Sequence, residues 1–343
     1  MLKIVLFRLL DNFILILIQG RKVYNNKYVI DRKLVSNTLC KLVIGKLTSD
    51  PSKEFILKVW KKQVLRAKKE YHRKKGGHGM VATDQLMKVM DSEVRAMVVL
   101  AEAGHNPNVV RLYEIIDDEA GFEDKLVLVM EFCSGGQLLN WSSETHAFTA
   151  NRESERVDAN GNVTESTVKK IIKDVATGLQ FCHEKGVLHR DIKPQNIIFG
   201  ADHHAKLIDF GVSKVLDDPA ASDEVKQTEG TYHFMAPESC DPDIIGYSGK
   251  AADVWAFGVT VYALLFNKCP FWGSTDFNLM ESIRNDEMGP PQDSQRQVSP
   301  ELMSLLTSMM IKDPAQRITL PDILSNAWLN TVEPESPLSP QVQ

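Results

Sequence analysis

The segment His189-Arg190-Asp191-Ile192-Lys193-Pro194-Gln195-Asn196 gathers an acid, an amine and an amide at short, fixed spacing. Phosphoryl transfer asks for little covalent chemistry from a protein. It needs a group that orients the attacking hydroxyl and accepts its proton, a cation on the transferring phosphate, and ligands that place metal ions. An aspartate two residues before a lysine and five before an asparagine can supply all three from one loop. Asp191 then faces the hydroxyl, Lys193 neutralises phosphate charge and Asn196 holds a metal. Asp209-Phe210-Gly211, eighteen residues beyond Asp191, offers a second metal-binding carboxylate. Hard oxygen ligands in such small number suit Mg²⁺, which keeps waters and takes further ligands from substrate phosphates.

Groups drawn from separate loops need rigid elements on two sides of a cleft. From Lys27 to about Glu131 the chain alternates short apolar runs with polar turns. Leu39–Leu47, Phe55–Trp60, Val109–Ile116 and Leu126–Phe132 read as strands rich in β-branched and aromatic residues. One helix interrupts them, Gln85–Leu100, with Leu86, Val89, Met90, Val94, Met97 and Val98 at helical spacing. After Gly135-Gly136 the pattern turns helical. Thr164–Glu184 repeats Val168, Ile171, Ile172, Val175, Leu179 and Phe181 behind Thr164 as N-cap, and Gly249–Phe266, Phe277–Asn285, Pro300–Ile311 and Pro321–Leu329 follow. A small sheet domain followed by a larger helical one is a two-lobed α+β layout, with its cleft bridged near Glu131–Gly136.

The 343 residues are 43% hydrophobic and 25% charged, an ordinary globular composition with enough chain for two lobes. A net charge of −5 gives no pull toward nucleic acid, whose binders carry a strongly basic face. Cys40, Cys133, Cys182, Cys240 and Cys269 form no C-x-x-C pair, which points to free thiols in a reducing compartment. A cytoplasmic location is expected, with a nuclear share as the alternative. Met1–Ile18 is strongly apolar, but Arg8, Asp11 and Asn12 break it, so no transmembrane span is expected. An interfacial anchor and an extra element packed on the body, or a frayed extension, stay open for it. Lys61–Lys75 is a densely basic insert, and Thr149–Ser166 is a polar one with an Asn160-Gly161 turn. The tail 330–343 is expected to be disordered.

Downstream of His189–Asn196 come Asp209-Phe210-Gly211, Ala236-Pro237-Glu238 and Asp253-Val254-Trp255-Ala256-Phe257-Gly258, in that order. With these motifs the sequence resembles the eukaryotic protein kinases over about Tyr28 to Leu329. The resemblance implies a two-lobed protein kinase fold. Its N-lobe, about 28–130, is a small antiparallel β-sheet with an αC helix; a hinge, about 131–136, leads to a larger, mainly helical C-lobe, about 137–329. Residues 1–27 are then an apolar N-terminal extension. ATP and Mg²⁺ are the implied cofactors, and proteins bearing Ser or Thr the implied substrates.

Carried over residue by residue, the resemblance makes Asp191 and Lys193 catalytic and Asn196 and Asp209 metal ligands. Lys58 grips the α- and β-phosphates, with Glu93 on the αC helix as its partner. Met130 is the gatekeeper, the backbone of Glu131 and Cys133 holds adenine, and Val35, Leu42, Ile56 and Ile198 surround the nucleotide. Met97, Leu112, His189 and Phe210 fit the family's regulatory spine. In the activation segment Thr228 is a phosphorylation candidate, Arg190 the receiver of that phosphate, and Thr231 a contact of Asp191 and Lys193. Glu238 and Arg317 match a buried ion pair, and Asp253 the aspartate that fixes the catalytic-loop backbone.

Lys193 and Gly230-Thr231 favour the serine/threonine type. Phe234-Met235-Ala236-Pro237-Glu238-Ser239, Cys269-Pro270-Phe271 and the charged insert resemble the calcium/calmodulin-dependent kinase kinases and related upstream kinases, which makes other kinases candidate substrates. No basic amphipathic segment of the calmodulin-target kind follows the last helix, so calmodulin binding is not expected. One departure is large. Where the family places three glycines over the phosphates, this chain has Val35, Asn37 and Cys40, and Ile56 replaces the alanine two residues before Lys58. Weakened ATP affinity follows. An active Ser/Thr kinase with a stiff lid is favoured by the intact polar set; a pseudokinase-like scaffold is the alternative.

Overall fold

The computed structural model describes residues 5–6, 16–18, 21–36, 40–67, 70–73, 80–83, 85–118, 124–151, 156–158, 160–292 and 294–331. Its first lobe is built on one antiparallel sheet: β1 (Val5–Leu6), β2 (Ile16–Ile18), β3 (Arg21–Tyr24), β4 (Tyr28–Ser36), β5 (Cys40–Leu47), β6 (Glu54–Lys61), β9 (Leu112–Asp118) and β10 (Lys125–Glu131). The strand order is β1-β2-β3-β4-β5-β6-β10-β9. Between β6 and β9 lie α1 (Lys62–Ala67), a separate hairpin of β7 (Glu70–Arg73) and β8 (Met80–Thr83), and α2 (Gln85–Glu102). The basic insert therefore contains a helical turn and a strand.

The register decides which residues face the cleft. Leu42 lies opposite Lys58, and Ile44 opposite Ile56, in the β5–β6 ladder. Leu128 lies opposite Lys58, and Met130 opposite Ile56, in the β6–β10 ladder. Because side chains alternate along a strand, these positions share one face. The other face carries Val43, Leu57 and Val129, buried under Tyr24 and Tyr28 of the N-terminal strands.

The expected strand Val109–Ile116 begins only at Leu112, because Val109 and Val110 pair instead with Leu207 of the second lobe. Asn37 and Leu39 lie outside the described residues, as do most of Met1–Ile18 and residues 332–343.

The chain after Gly135-Gly136 does not turn helical at once. A short strand β11 (Gly136–Gln137) leads into a hairpin of β12 (Leu139–Ser142) and β13 (Ala147–Ala150). Leu139 and Phe148 point into the core, and His146 turns the chain with φ 48°. α3 (Glu165–Glu184) then starts where expected, the Thr164 hydroxyl accepting the amide of Thr167. Val168, Ile171, Ile172, Val175 and Leu179 are its buried stripe.

The short strands β14 (Val187–Leu188), β15 (Ile197–Phe199), β16 (Ala205–Leu207) and β17 (Lys214–Val215) frame the catalytic segment. α4 (Gly249–Phe266), capped by Ser248, is apolar on nearly all sides. Among the described residues it is the one helix long and apolar enough to cross a membrane, and 83% of it is buried in the protein, as befits a core helix. α5 (Asp276–Asn285) and α6 (Pro300–Met309) pack around it. The helix expected over Pro321–Leu329 is two, α7 (Leu320–Ser325) and α8 (Ala327–Asn330). Asn326 breaks it, its side chain capping α8 by accepting the Trp328 amide. All five cysteines are free thiols. Burial pushes Cys133 and Cys269 up to about 12 and Cys240 to about 11, so these thiols are poor nucleophiles.

Candidate active site

Lys58 extends from the middle of β6 and meets α2. Its Nζ lies 2.6 Å from Glu93 Oε1 and 3.3 Å from Asp209 Oδ1, although Asp209 is 151 positions away. Burial alone lowers the Lys58 ammonium. Glu93 and Asp209 outweigh it, and the pKa lies above its ordinary value. For Asp209, burial is the largest influence and pushes up, but the charge and hydrogen bond of Lys58, with the Gly211 amide, together hold the carboxylate below its usual range. Glu93 is only 2% exposed, and its Oε2 has no hydrogen-bond partner among the described residues. Docking of α2 and the charge on Lys58 are thus tied together.

The segment 189–196 folds back on Asp191. Thr231 Oγ1 donates to Asp191 Oδ1 at 2.8 Å, and Lys193 Nζ sits 2.6 Å from Oδ2 and 2.9 Å from the Thr231 hydroxyl. Asn196 Nδ2 donates to the Asp191 carbonyl and to its Oδ2, which leaves Oδ1 as the atom its amide presents outward. Arg190 and Asp209 both adopt left-handed backbone, φ 67° and 62°, at a cost on the order of 1–3 kcal/mol each. The buried Asp253 holds the first in place: it accepts the amides of His189 and Arg190 at 3.0 and 2.7 Å and pairs with His183 at 2.8 Å.

A cavity of about 660 Å³ joins these groups. Val35, Leu42, Ile56, Met130, Cys133 and Ile198 form an apolar end beside Glu131, and Lys58, Glu93, Asp209, Asn196 and Lys193 a polar end. Asp191 does not line it directly; Thr231 and Lys193, which touch Asp191, do. The Glu131 amide donates to the Arg111 carbonyl, so of that amide nothing is left for a base.

In the activation segment the Thr228 hydroxyl donates to the Ser239 carbonyl at 3.2 Å, and the Arg190 guanidinium reaches the Gln227 carbonyl at 2.6 Å. Arg190 is therefore held one residue short of Thr228. Glu238 and Arg317 form a two-pronged pair at 2.7 and 2.9 Å. His189 and Phe210, both fully buried, pack at 4.8 Å between ring centres with their planes tilted by 54°, and Met97 is buried nearby in the same core.

Two residues have positioning roles that the sequence did not reveal. Gly230 has φ +107°, and a Cβ there would lie 2.4 Å from the Arg190 carbonyl oxygen. Only glycine lets the activation segment approach closely enough to seat Thr231 on Asp191. Its signal was a glycine immediately before that threonine. Lys206 is the other: only 1% exposed, its Nζ meets Glu131 Oε1 at 3.1 Å and the Pro107 carbonyl at 2.8 Å, which anchors the hinge. A lysine inside Ala205-Lys206-Leu207-Ile208 was the available clue.

His189 provides a pH prediction. Its Nε2–H donates to the Ile208 carbonyl at 3.1 Å, and the Asp191 amide donates to its Nδ1 at 3.3 Å, so the folded protein holds the neutral ring. Burial lowers its pKa below 6.5, against the pull of Asp253 and Asp191. The unfolded chain takes up a proton near pH 6.5 that the folded ring refuses. Stability therefore falls as pH drops below about 6.5, by up to about 1.4 kcal/mol per pH unit from this group. Urea midpoints at pH 7.5 and 5.5 should differ less in His189→Phe than in the wild type; an unchanged difference would assign the effect elsewhere.

A family profile described as protein kinase domain matches residues 44–329. The serine/threonine-protein kinase ssp1 of Schizosaccharomyces pombe is 35% identical over 243 residues, 69% of this chain and 34% of that protein. A probable serine/threonine-protein kinase of Dictyostelium discoideum is 31% identical over 305 residues, covering 88% of this chain and 38% of its own length. The serine/threonine-protein kinase GRIK2 of Arabidopsis thaliana is 30% identical over 304 residues, 89% of this chain and 65% of the relative. The chain thus spans roughly a third to two thirds of the length of these relatives.

Proposed function

The chain belongs to the protein kinase domain family, and from that premise we propose that it transfers the γ-phosphate of ATP to Ser or Thr hydroxyls of proteins. One observation carries the reading: Asp191, Lys193 and Thr231 are mutually hydrogen-bonded at the mouth of the cavity that also holds the Lys58–Asp209 pair. Asp191 is placed to accept the proton of an attacking hydroxyl, and Thr231 and Lys193 fix its orientation. Lys193 and Lys58 supply positive charge where phosphate oxygens gain negative charge. Asp209 and Asn196 present hard oxygens in too small a number to complete a shell by themselves, which fits Mg²⁺ with water and phosphate as its other ligands. Asp209 and Asn196 would hold that ion, which would supply positive charge against the phosphate. Resemblance to upstream kinases supports other kinases as acceptors, and the five free thiols support a reducing, cytoplasmic setting.

The test is ATP binding to the full chain with and without Mg²⁺. We expect Mg²⁺ to tighten binding by roughly tenfold or more, about 1.4 kcal/mol, and Asp209→Asn to remove that gain. Val35 and Leu34, 56% and 48% exposed on the glycine-free lid, keep overall affinity modest. A chain that binds no nucleotide under either condition would be a scaffold acting through partners.

A further inference from the structure

Beyond the phosphate-directed groups, the cavity has a second arm walled by aromatic rings. The hairpin β12–β13 supplies Trp141 and Phe148, its turn supplies His146, the activation segment supplies His233, and Trp272 closes the set. Ring centres lie 4.8 Å apart for Trp141–Phe148, 5.9 Å for Trp141–His233, 5.7 Å for His233–Trp272 and 4.4 Å for His146–Trp272. Trp141, Phe148 and His233 line the same cavity as Lys193 and Thr231. His233 is two positions beyond Thr231, whose hydroxyl touches Asp191. This arm therefore opens beside the point where an acceptor hydroxyl must sit.

The chemistry of the wall is selective. Trp141, Phe148 and Phe234 give this part of the lining an aromatic face, and Cys269 adds further apolar surface. Trp272 remains 51% exposed at its rim, a large apolar side chain left uncovered at the mouth of a cleft.

We propose that this arm is a specificity site that holds a large aliphatic or aromatic side chain of the substrate protein. Resting on the kinase reading above, it names the class of segment that kinase takes: an extended one with an apolar residue close to the acceptor. Extended chain advances about 3.4 Å per residue, which puts that residue within about two or three positions of the Ser or Thr. Its side chain leaves water for the rings of Trp141, His233 and Trp272.

A positional-scanning library of Ser/Thr peptides, phosphorylated by the full chain alongside its self-labelling, tests this. Wild type should prefer Leu or Phe over Ala at one flanking position by roughly tenfold or more in kcat/KM. Trp141→Ala and Trp272→Ala should reduce that ratio to within about twofold. Trp272→Glu should move the selection toward Lys or Arg at that position. Trp272 is half exposed, so its replacement leaves the core closed. A flat library, selection for a charged residue there, or a library left unlabelled by a chain that labels itself would each overturn the site while the kinase reading survives. Label on neither peptide nor chain overturns both.

Discussion

Asp191→Ala is expected to lower kcat for peptide phosphorylation by roughly 10²- to 10⁴-fold, the range lost with a general base, with little change in the KM for ATP. The two halves of this result have separate causes. The carboxylate is the acceptor on which Thr231, Lys193 and Asn196 converge, at 2.8, 2.6 and 2.9 Å, so its removal takes away the proton acceptor and the group that orients the hydroxyl. It is absent from the lining of the nucleotide-sized cavity, so ground-state binding should persist. Asp191→Asn retains the shape and loses the negative charge; a comparable loss would identify proton acceptance as the cause. Steady-state kinetics with both variants decides the matter. A variant keeping more than about a tenth of wild-type kcat would place the base elsewhere.

Arg317→Ala should give the largest loss of stability, about 3–5 kcal/mol, the cost of leaving a buried charge unpaired. Arg317 is fully buried and Glu238 nearly so, at 0% and 4% side-chain exposure. Their pairing uses both terminal guanidinium nitrogens and both carboxylate oxygens. The same guanidinium also donates to the carbonyls of Ile311, Ala251 and Lys312. Removing Glu238 as well therefore gives only partial recovery, because three carbonyls lose their donor. Since domains of this kind hold only about 5–15 kcal/mol in total, the single variant should unfold at far lower urea. A shift below about 1 kcal/mol would show that the pair is not what secures the end of the activation segment. Activity should fall in parallel, as Glu238 lies just beyond Thr231 and Gly230 in that segment.

The catalytic set was legible because its spacing is local. Asp191, Lys193 and Asn196 lie within one eight-residue stretch, and a short loop leaves their side chains little choice but to converge. Helices were equally legible: α3 follows from a regular apolar stripe behind its cap Thr164, and α4 from the length of its nearly unbroken apolar run. The hairpin at Leu139–Ala150 was not, since short apolar runs fit a strand or a helix alike until their neighbours are known. The split at Asn326 hung on one side chain bonding to the backbone in place of continuing a helix.

The chain order of types and spacings by itself determined the chemistry available to this protein: which acids, amines and amides stand close together, and which motifs follow one another. The tertiary structure alone decided which distant groups meet. Lys58, Glu93 and Asp209 come from a strand, a helix and a loop, and only sheet register and the docking of α2 bring them within 3.3 Å. The close approach of Gly230 to Arg190 and the ring-walled arm beside Thr231 are likewise products of packing. The physical reason is range. Local spacing is set by backbone geometry within a few residues, whereas burial and charge pairing act between whatever surfaces the fold presses together.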